Sequence, residues 1–267
     1  MKRFPVILLL VAILLTACSG LGAAPATTAP PTNLPEPSAT SVPTSTPLPT
    51  DTATPEPTAT PDAAATAAAE AAAKAAPVLA ELDDLLGDSD IDYKNGQLAW
   101  QQAEPIVINM QGPSGDDTTA GIDKDLTAGN FILKSDVTWT ATGWMFCGAI
   151  VRSESNLDEG KQYQFYFLRF SGLPAWYIAV FEGSRYVSDI SGEQFSEAID
   201  IANGATNQIV LAAQDNKFTV YFNGAEQGSY VDNSSQRDEG HFGFMAWQES
   251  GKGSCKFENS WIWSLDE

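Results

Sequence analysis

The sequence predicts an all-β fold, a two-sheet antiparallel β-sandwich carried behind a long non-globular N-terminal arm. Three observations predict it. All seven tryptophans lie at or beyond Trp100, and of thirteen phenylalanines only Phe4 precedes Phe131, so core-forming material is confined to the later part of the 267 residues. Beyond residue 90, short apolar segments alternate with turn dipeptides and no convincing helical period intervenes. Eleven of the sixteen prolines, with eleven threonines, fall between Pro25 and Pro61, where nothing bulky exists to bury. The formal net charge of −20 excludes the basic balance that nucleic-acid binding needs. One histidine and three cysteines exclude most His- or Cys-rich metal sites.

The arm begins as an address. Lys2 and Arg3 precede an apolar run from Val6 to Leu15, and small residues follow, the order of a secretory signal. The run is shorter than the roughly 20 residues a membrane-spanning helix needs. The junction Leu15-Thr16-Ala17-Cys18 closely resembles the bacterial lipobox, in which the cysteine is lipidated and becomes the new N-terminus. Residues 1–17 are therefore expected to be a lipoprotein signal peptide, and Cys18 the lipidation site. Several acyl chains on one residue anchor stably where a single chain does not. The expected location is the outer face of a bacterial membrane, with membrane contact through the lipid alone.

Residues 18–61 are mainly Ala, Thr, Pro and Ser with almost no apolar bulk, and carry a loose repeat in Thr52-Ala53-Thr54-Pro55-Glu56-Pro57 and Thr58-Ala59-Thr60-Pro61-Asp62. Such a chain cannot offset its ordering entropy by burial and is expected to be a disordered stalk, with O-glycosylation open. Residues 62–90 shift to an Ala-rich collar. Alanine propensity, the Glu70–Lys74 i,i+4 pair and Asp62 as a cap predict a helix. Pro77 is expected to kink or restart it. Val78, Leu79, Leu82, Leu85 and Leu86 then give a short apolar stripe that either docks on the domain or pairs with another copy. The cluster Asp88-Ser89-Asp90-Ile91-Asp92 is not an EF-hand loop, since its sixth and twelfth positions hold Tyr93 and Ala99 in place of glycine and glutamate.

The domain proper is expected over residues 91–267. Phe131, Leu133, Val137 and Trp139 share one parity, as do Phe218, Val220 and Phe222, the mark of half-buried strands. Further strands are expected at Leu98–Gln101, Ile106–Met110, Trp144–Arg152, Gln162–Phe170, Trp176–Phe181, Gln208–Ala213, His241–Trp247 and Lys256–Trp263. Asn95-Gly96, Ser171-Gly172, Asn203-Gly204, Asn223-Gly224 and Glu239-Gly240 supply turns. Segments apolar on both parities, such as Tyr166-Phe167-Leu168, are expected to be inner strands whose outer face is covered or forms a groove.

Trp144 to Arg152, Tyr163 to Phe170, Asn207 to Leu211, Phe218 to Gly224, Asp232, Gly240 to Phe244 and Phe257 to Asn259 follow a recurring pattern. In order and spacing it resembles the concanavalin A-like jelly roll, in particular its LamG-like and 3-keto-disaccharide-hydrolase-like branch, over roughly residues 130–265. The resemblance implies a jelly-roll sandwich and a family that includes lectin-like binding modules, hydrolases and domains without an assigned role.

Chemistry is sparse. The Glu-x-Asp-x-x-Glu strand of the glucanase members is absent, and Glu193, Glu197 and Asp200 approach its spacing only in a stretch that reads as loop. His241 reads as structural rather than as a general base. No catalytic residue and no cofactor is assigned, though Asp116, Asp117, Asp123 and Asp125 offer oxygen ligands that Ca²⁺ would accept. With Cys18 taken by lipid, Cys147 and Cys255 remain in an exported domain, so a disulfide between neighbouring strands is expected. Tyr163, Phe165, Phe167 and Arg169 share a parity, and Trp144, Phe146 and Arg152 share one on the preceding strand. Rings meet the apolar face of a sugar and guanidinium groups its hydroxyls. The expected ligand face is Trp144, Arg152, Tyr163 and Arg169, with Trp176 at its rim. The expected function is display of a binding module, for carbohydrate or another cell-surface polymer. A glycoside-acting hydrolase or a purely structural or protein-interaction domain are the alternatives.

Overall fold

The computed structural model describes residues 63–111, 118–141, 143–170 and 172–266. The signal, Cys18, the stalk, Asp62, Asp116 and Asp117 lie outside the described residues.

The collar is one helix, α1, Ala63–Leu86, and it runs through Pro77 without a break. Of the expected kink or restart, the restart is not realised; Pro77 is exposed, so the carbonyl that loses its partner there is on the side of water. Of the apolar stripe, Val78, Leu82 and Leu86 are buried, each worth roughly 1.5–3 kcal/mol against exposure. They pack with Ile91 and Tyr93 on Ile132, Val210, Ala212, Tyr221, Trp261 and Trp263. Of the two expectations for the stripe, docking on the domain is the one realised.

Fourteen strands follow: β1 Gln97–Gln101, β2 Ile106–Gln111, β3 Thr118–Gly121, β4 Phe131–Thr140, β5 Met145–Ser153, β6 Lys161–Phe170, β7 Leu173–Glu182, β8 Arg185–Asp189, β9 Gln194–Phe195, β10 Thr206–Gln214, β11 Lys217–Phe222, β12 Ala225–Val231, β13 His241–Gln248 and β14 Lys252–Ser264. They form two seven-stranded sheets. Sheet A has the order β1-β14-β4-β10-β11-β12, with β2 also on β14; sheet B has β3-β13-β5-β6-β7-β8, with β9 also on β7. Every pairing is antiparallel. The architecture is the jelly-roll sandwich expected from the sequence. The chain crosses repeatedly between sheets, so β4, β10 and β14 are neighbours although far apart in sequence.

Alternation sorts the side chains. Phe131, Leu133 and Val137 from sheet A meet Tyr163, Phe165, Phe167, Trp176 and Ile178 from sheet B in the main core. Stacked Phe244 and Phe257, with ring centroids 4.1 Å apart, join the sheets at the centre. Cys147 on β5 and Cys255 on β14 are bonded, with Cα atoms 5.8 Å apart. The strands are not neighbours in one sheet, as expected, but face each other across the sandwich. The bridge therefore ties sheet to sheet. Sheet A is covered on its outer face by α1, whereas the described helix leaves sheet B's outer face alone.

Candidate ligand-binding face

The residues first expected to form a ligand face do not share one. Tyr163, Arg152 and Trp176 are each 1% exposed and sit inside the sandwich. Tyr163 belongs to the inward parity of β6, and its ring packs 4.9 Å from Phe218. Trp176 faces Phe165, Phe222 and Tyr230. Arg152 departs from alternation: its φ of 48° and the register shift between His241 and Gly243 turn it inward at the strand end. There its guanidinium lies 5.2 Å from the Phe218 ring centroid and 6.0 Å from that of Phe131. Arg169 is half-buried and donates to the Ala141 carbonyl at 3.3 Å. Only Trp144 is at the surface, 37% exposed. The correction has a simple cause. Both parities of β5 and β6 are apolar, and a period of two does not say which of them points out.

The inward group has a structural role. Tyr163 Oη donates to Asp232 Oδ2 at 2.6 Å and accepts from the Arg237 backbone at 3.2 Å, pinning the segment between β12 and β13. Burial, then this bond, pushes the Tyr163 hydroxyl up to about 12. Burial alone would raise the Asp232 carboxyl, but hydrogen bonds from Ser234, Tyr163 and Gln236 outweigh it and hold Asp232 below the usual carboxylate range. Burial is also the main cause lowering the Arg152 value, against the pull of Tyr163, Asp238, Asp266 and Asp215.

The opposite parity builds the outer face of sheet B, where Tyr166 and Leu168 are covered, at 3% and 5% exposed, while Phe146, Tyr177 and Trp247 stay half-buried. On the outer face of sheet B, Ile150, Tyr166, Leu168, Ala175 and Met245 form a cluster flanked by Phe146, Leu157, Tyr177 and Phe181. Four rings cross four adjacent strands in line. Trp247 on β13 stacks on Phe146 of β5 at 5.7 Å, Phe146 on Tyr166 of β6 at 4.5 Å, and Tyr166 meets Tyr177 of β7 edge-on at 4.0 Å. Trp144 stands edge-on to Trp247 at 5.6 Å and extends the row beyond the strand end. Gly148 makes the row possible: a Cβ there would lie 2.5 Å from the Tyr166 Cβ and 2.4 Å from the Phe165 carbonyl oxygen. Phe195, 57% exposed, lies opposite Ala175 on β9.

Beside the rings the same face turns polar. A cavity of about 530 Å³ is lined by Thr118, Thr119, Leu157, Asp158, Glu159, Gln162, Gln164, Gly183 and Ser184. Thr119 donates to Asp158 at 2.5 Å and Ser153 to the buried Gln162 at 3.0 Å, so the polar wall is held in place. Leu157 reaches over the face because Gly243 lacks a side chain; a Cβ at Gly243 would sit 2.7 Å from its Cδ1. Rings adjoining amides and carboxylates are the usual makings of a site for a ligand with apolar faces and hydroxyl edges. Sequence reasoning missed Tyr177, Trp247, Gln162 and Gln164.

A second cavity, about 480 Å³, lies where α1 meets sheet A. Its one lining cation is held by two of its carboxylates. The Lys134 ammonium, on a side chain 3% exposed, reaches Glu81 at 3.1 Å, Asp136 at 3.0 Å and the Asn259 carbonyl at 3.2 Å. The other Glu81 oxygen accepts from Trp261 Nε1 at 2.8 Å. This knot fastens the helix. Glu193, Glu197 and Asp200 are exposed on the connecting segment and present no paired site. Asp123 Oδ1 accepts from the Asp125 backbone at 2.9 Å within its own loop. Among the described residues no group of three His, Cys, Asp or Glu is placed to hold a metal ion.

No family model and no curated protein matches the chain. Solved structures do. A carbohydrate-binding module from Bacillus subtilis aligns with a TM-score of 0.46 and 18% identity over 62% of this chain and 96% of its own. A β-glucanase of Bacillus licheniformis aligns at 0.43 and 10% identity, over 61% of this chain and 79% of its own. A galectin of Caenorhabditis elegans aligns at 0.36 and 12% identity, over 56% and 95%.

Proposed function

We propose that this chain is a non-catalytic binding protein, lipid-anchored through Cys18, that presents the outer face of sheet B to carbohydrate. The observation that carries the reading is the row Trp247–Phe146–Tyr166–Tyr177 beside a cavity walled by Gln162, Gln164, Thr119 and Asp158. The placement of α1 supports it. The helix through which the chain enters the domain occupies the outer face of sheet A, so the row lies on the opposite side of the sandwich. Soluble sugars gain by covering the apolar rings and by bonding to amides and carboxylates that are already positioned.

The test is a glycan-array screen of the full chain, repeated with Tyr177→Ala and Trp247→Ala. Each ring contributes roughly 1 kcal/mol beyond its buried area, so either variant should weaken binding to any hit about fivefold or more. Thermal melts on the same samples separate lost binding from lost folding. Hits whose binding ignores both substitutions would remove the face from consideration.

A further inference from the structure

The charge pattern of this face narrows what it takes. Strand register fixes the outward positions: Gly243, Met245 and Trp247 on β13; Phe146, Gly148 and Ile150 on β5; Gln162, Gln164, Tyr166 and Leu168 on β6. On β7 they are Ala175, Tyr177, Ala179 and Phe181, with Tyr186 and Asp189 opposite the last two on β8. Among these positions and the lining of the adjoining cavity, the charged side chains are Asp158, Glu159 and Asp189, all carboxylates. Of the nearby cations, Arg185 pairs with Glu182, Arg169 donates to Ala141, and Lys161 belongs to the opposite parity of β6 from Gln162 and Gln164. The net charge of −20 reinforces this local sign. An anionic polymer would meet three carboxylates and no partner, whereas hydroxyls find amides and acceptors.

Shape adds a second constraint. The row crosses β13, β5, β6 and β7, which at about 4.8 Å per strand spans roughly 14 Å. Trp247, Phe146 and Tyr177 are the half-exposed rings of that row, and between them Gly148, Tyr166, Ala175 and Ala179 are buried and level the face. A single pyranose would cover one step of it. Resting on the reading that this face binds carbohydrate, we infer that it selects a stretch of an uncharged polysaccharide lying across the strands and rejects uronate, sulfate and phosphate polymers.

The inference is tested by measuring retention of the full chain on immobilised polysaccharides at low and at physiological salt. The panel holds neutral polymers (a β-glucan, a β-mannan, a fructan) and anionic ones (polygalacturonate, alginate, heparin). Tyr177→Ala and the pair Glu159→Lys with Asp189→Lys are measured beside it. The expected result is retention by a neutral polymer that Tyr177→Ala weakens and that salt leaves nearly unchanged. Oligosaccharides of that polymer should gain affinity with length. Polyanions should be retained about tenfold less well or not at all, and the double lysine variant should gain them at low salt. Polyanion retention that depends on Tyr177 overturns the charge assignment while leaving the face a binding face. Equal affinity for the monosaccharide and its oligomers overturns the extended-chain assignment. Absence of ring-dependent retention across the panel removes the face itself, and this inference with it.

Discussion

Replacing Cys147 and Cys255 together by alanine removes the covalent tie between the sheets, and the cost can be worked from the chain. The bridge joins residues 108 apart in sequence. In the chain-entropy account, closing a loop of that length removes about 16 cal/mol/K from the unfolded ensemble, or about 4.8 kcal/mol at 25 °C. Both cysteines are fully buried in the main core, Cys147 between the ring-bearing strands and Cys255 on β14. Two alanines in their place leave a small void, and each lost sulfur adds a further fraction of a kcal/mol. The double variant should thus lose about 5–6 kcal/mol. In urea titrations followed by tryptophan fluorescence the midpoint should fall, and the slope should rise because an uncrosslinked unfolded chain exposes more surface. Ellman titration of the unreduced wild type in denaturant should find neither of these two thiols free. Free thiols, or a double variant within 1 kcal/mol of wild type at unchanged slope, would refute the argument that the bridge restrains the unfolded chain.

Leu82→Ala should cost about 2–5 kcal/mol, because Leu82 is wholly buried between α1 and sheet A, and circular dichroism should show partial loss of helix. Tyr163 ionises near 10 when unfolded and near 12 when folded, so its contribution to stability is complete below pH 10 and is lost as the pH rises to about 12. Tyr163→Phe should lower stability at neutral pH by about 1–3 kcal/mol, through the lost bond to Asp232, and flatten the alkaline limb; Tyr221, also raised to about 12, keeps the remainder. Mass spectrometry of the membrane fraction should find a diacylglyceryl-type modification on Cys18, and a soluble protein with its N-terminus elsewhere would count against the anchor.

What the sequence made legible depended on whether local pattern decides the matter. Ten strands were legible because alternation and Asn-Gly or Gly turns are local signals, whereas β3, β8, β9 and β12 bury no side chain fully and so carry no apolar alternation to read. The bridge was legible by exclusion, though not its geometry, because which strands face each other is set by sheet topology and not by spacing. The helix stripe was legible at Val78, Leu82 and Leu86, while the helix's continuation past Pro77 was not, since the proline's cost depends on whether water reaches the freed carbonyl. The candidate face was half legible. Tyr166 and Phe167 are adjacent rings on opposite faces, and the sequence marks both as apolar without saying which one the second sheet covers. Arg169 drew attention to the inward parity of β6 and Arg152 to the outward parity of β5, yet a guanidinium at a strand end can bend into the core edge when one residue adopts a positive φ and cancels the alternation. The same ambiguity explains why glycines identify the outer face better than rings do. Gly148 and Gly243 lie where a methyl group would strike Tyr166 or Leu157, so each marks a place where a side chain lies flat across its neighbour strand. A buried core fills such gaps with methyl groups. On sheet B's outer face Tyr166 and Leu157 fill them instead, which leaves Gly148 and Gly243 buried and the half-exposed rings of Trp247, Phe146 and Tyr177 as what that face turns outward.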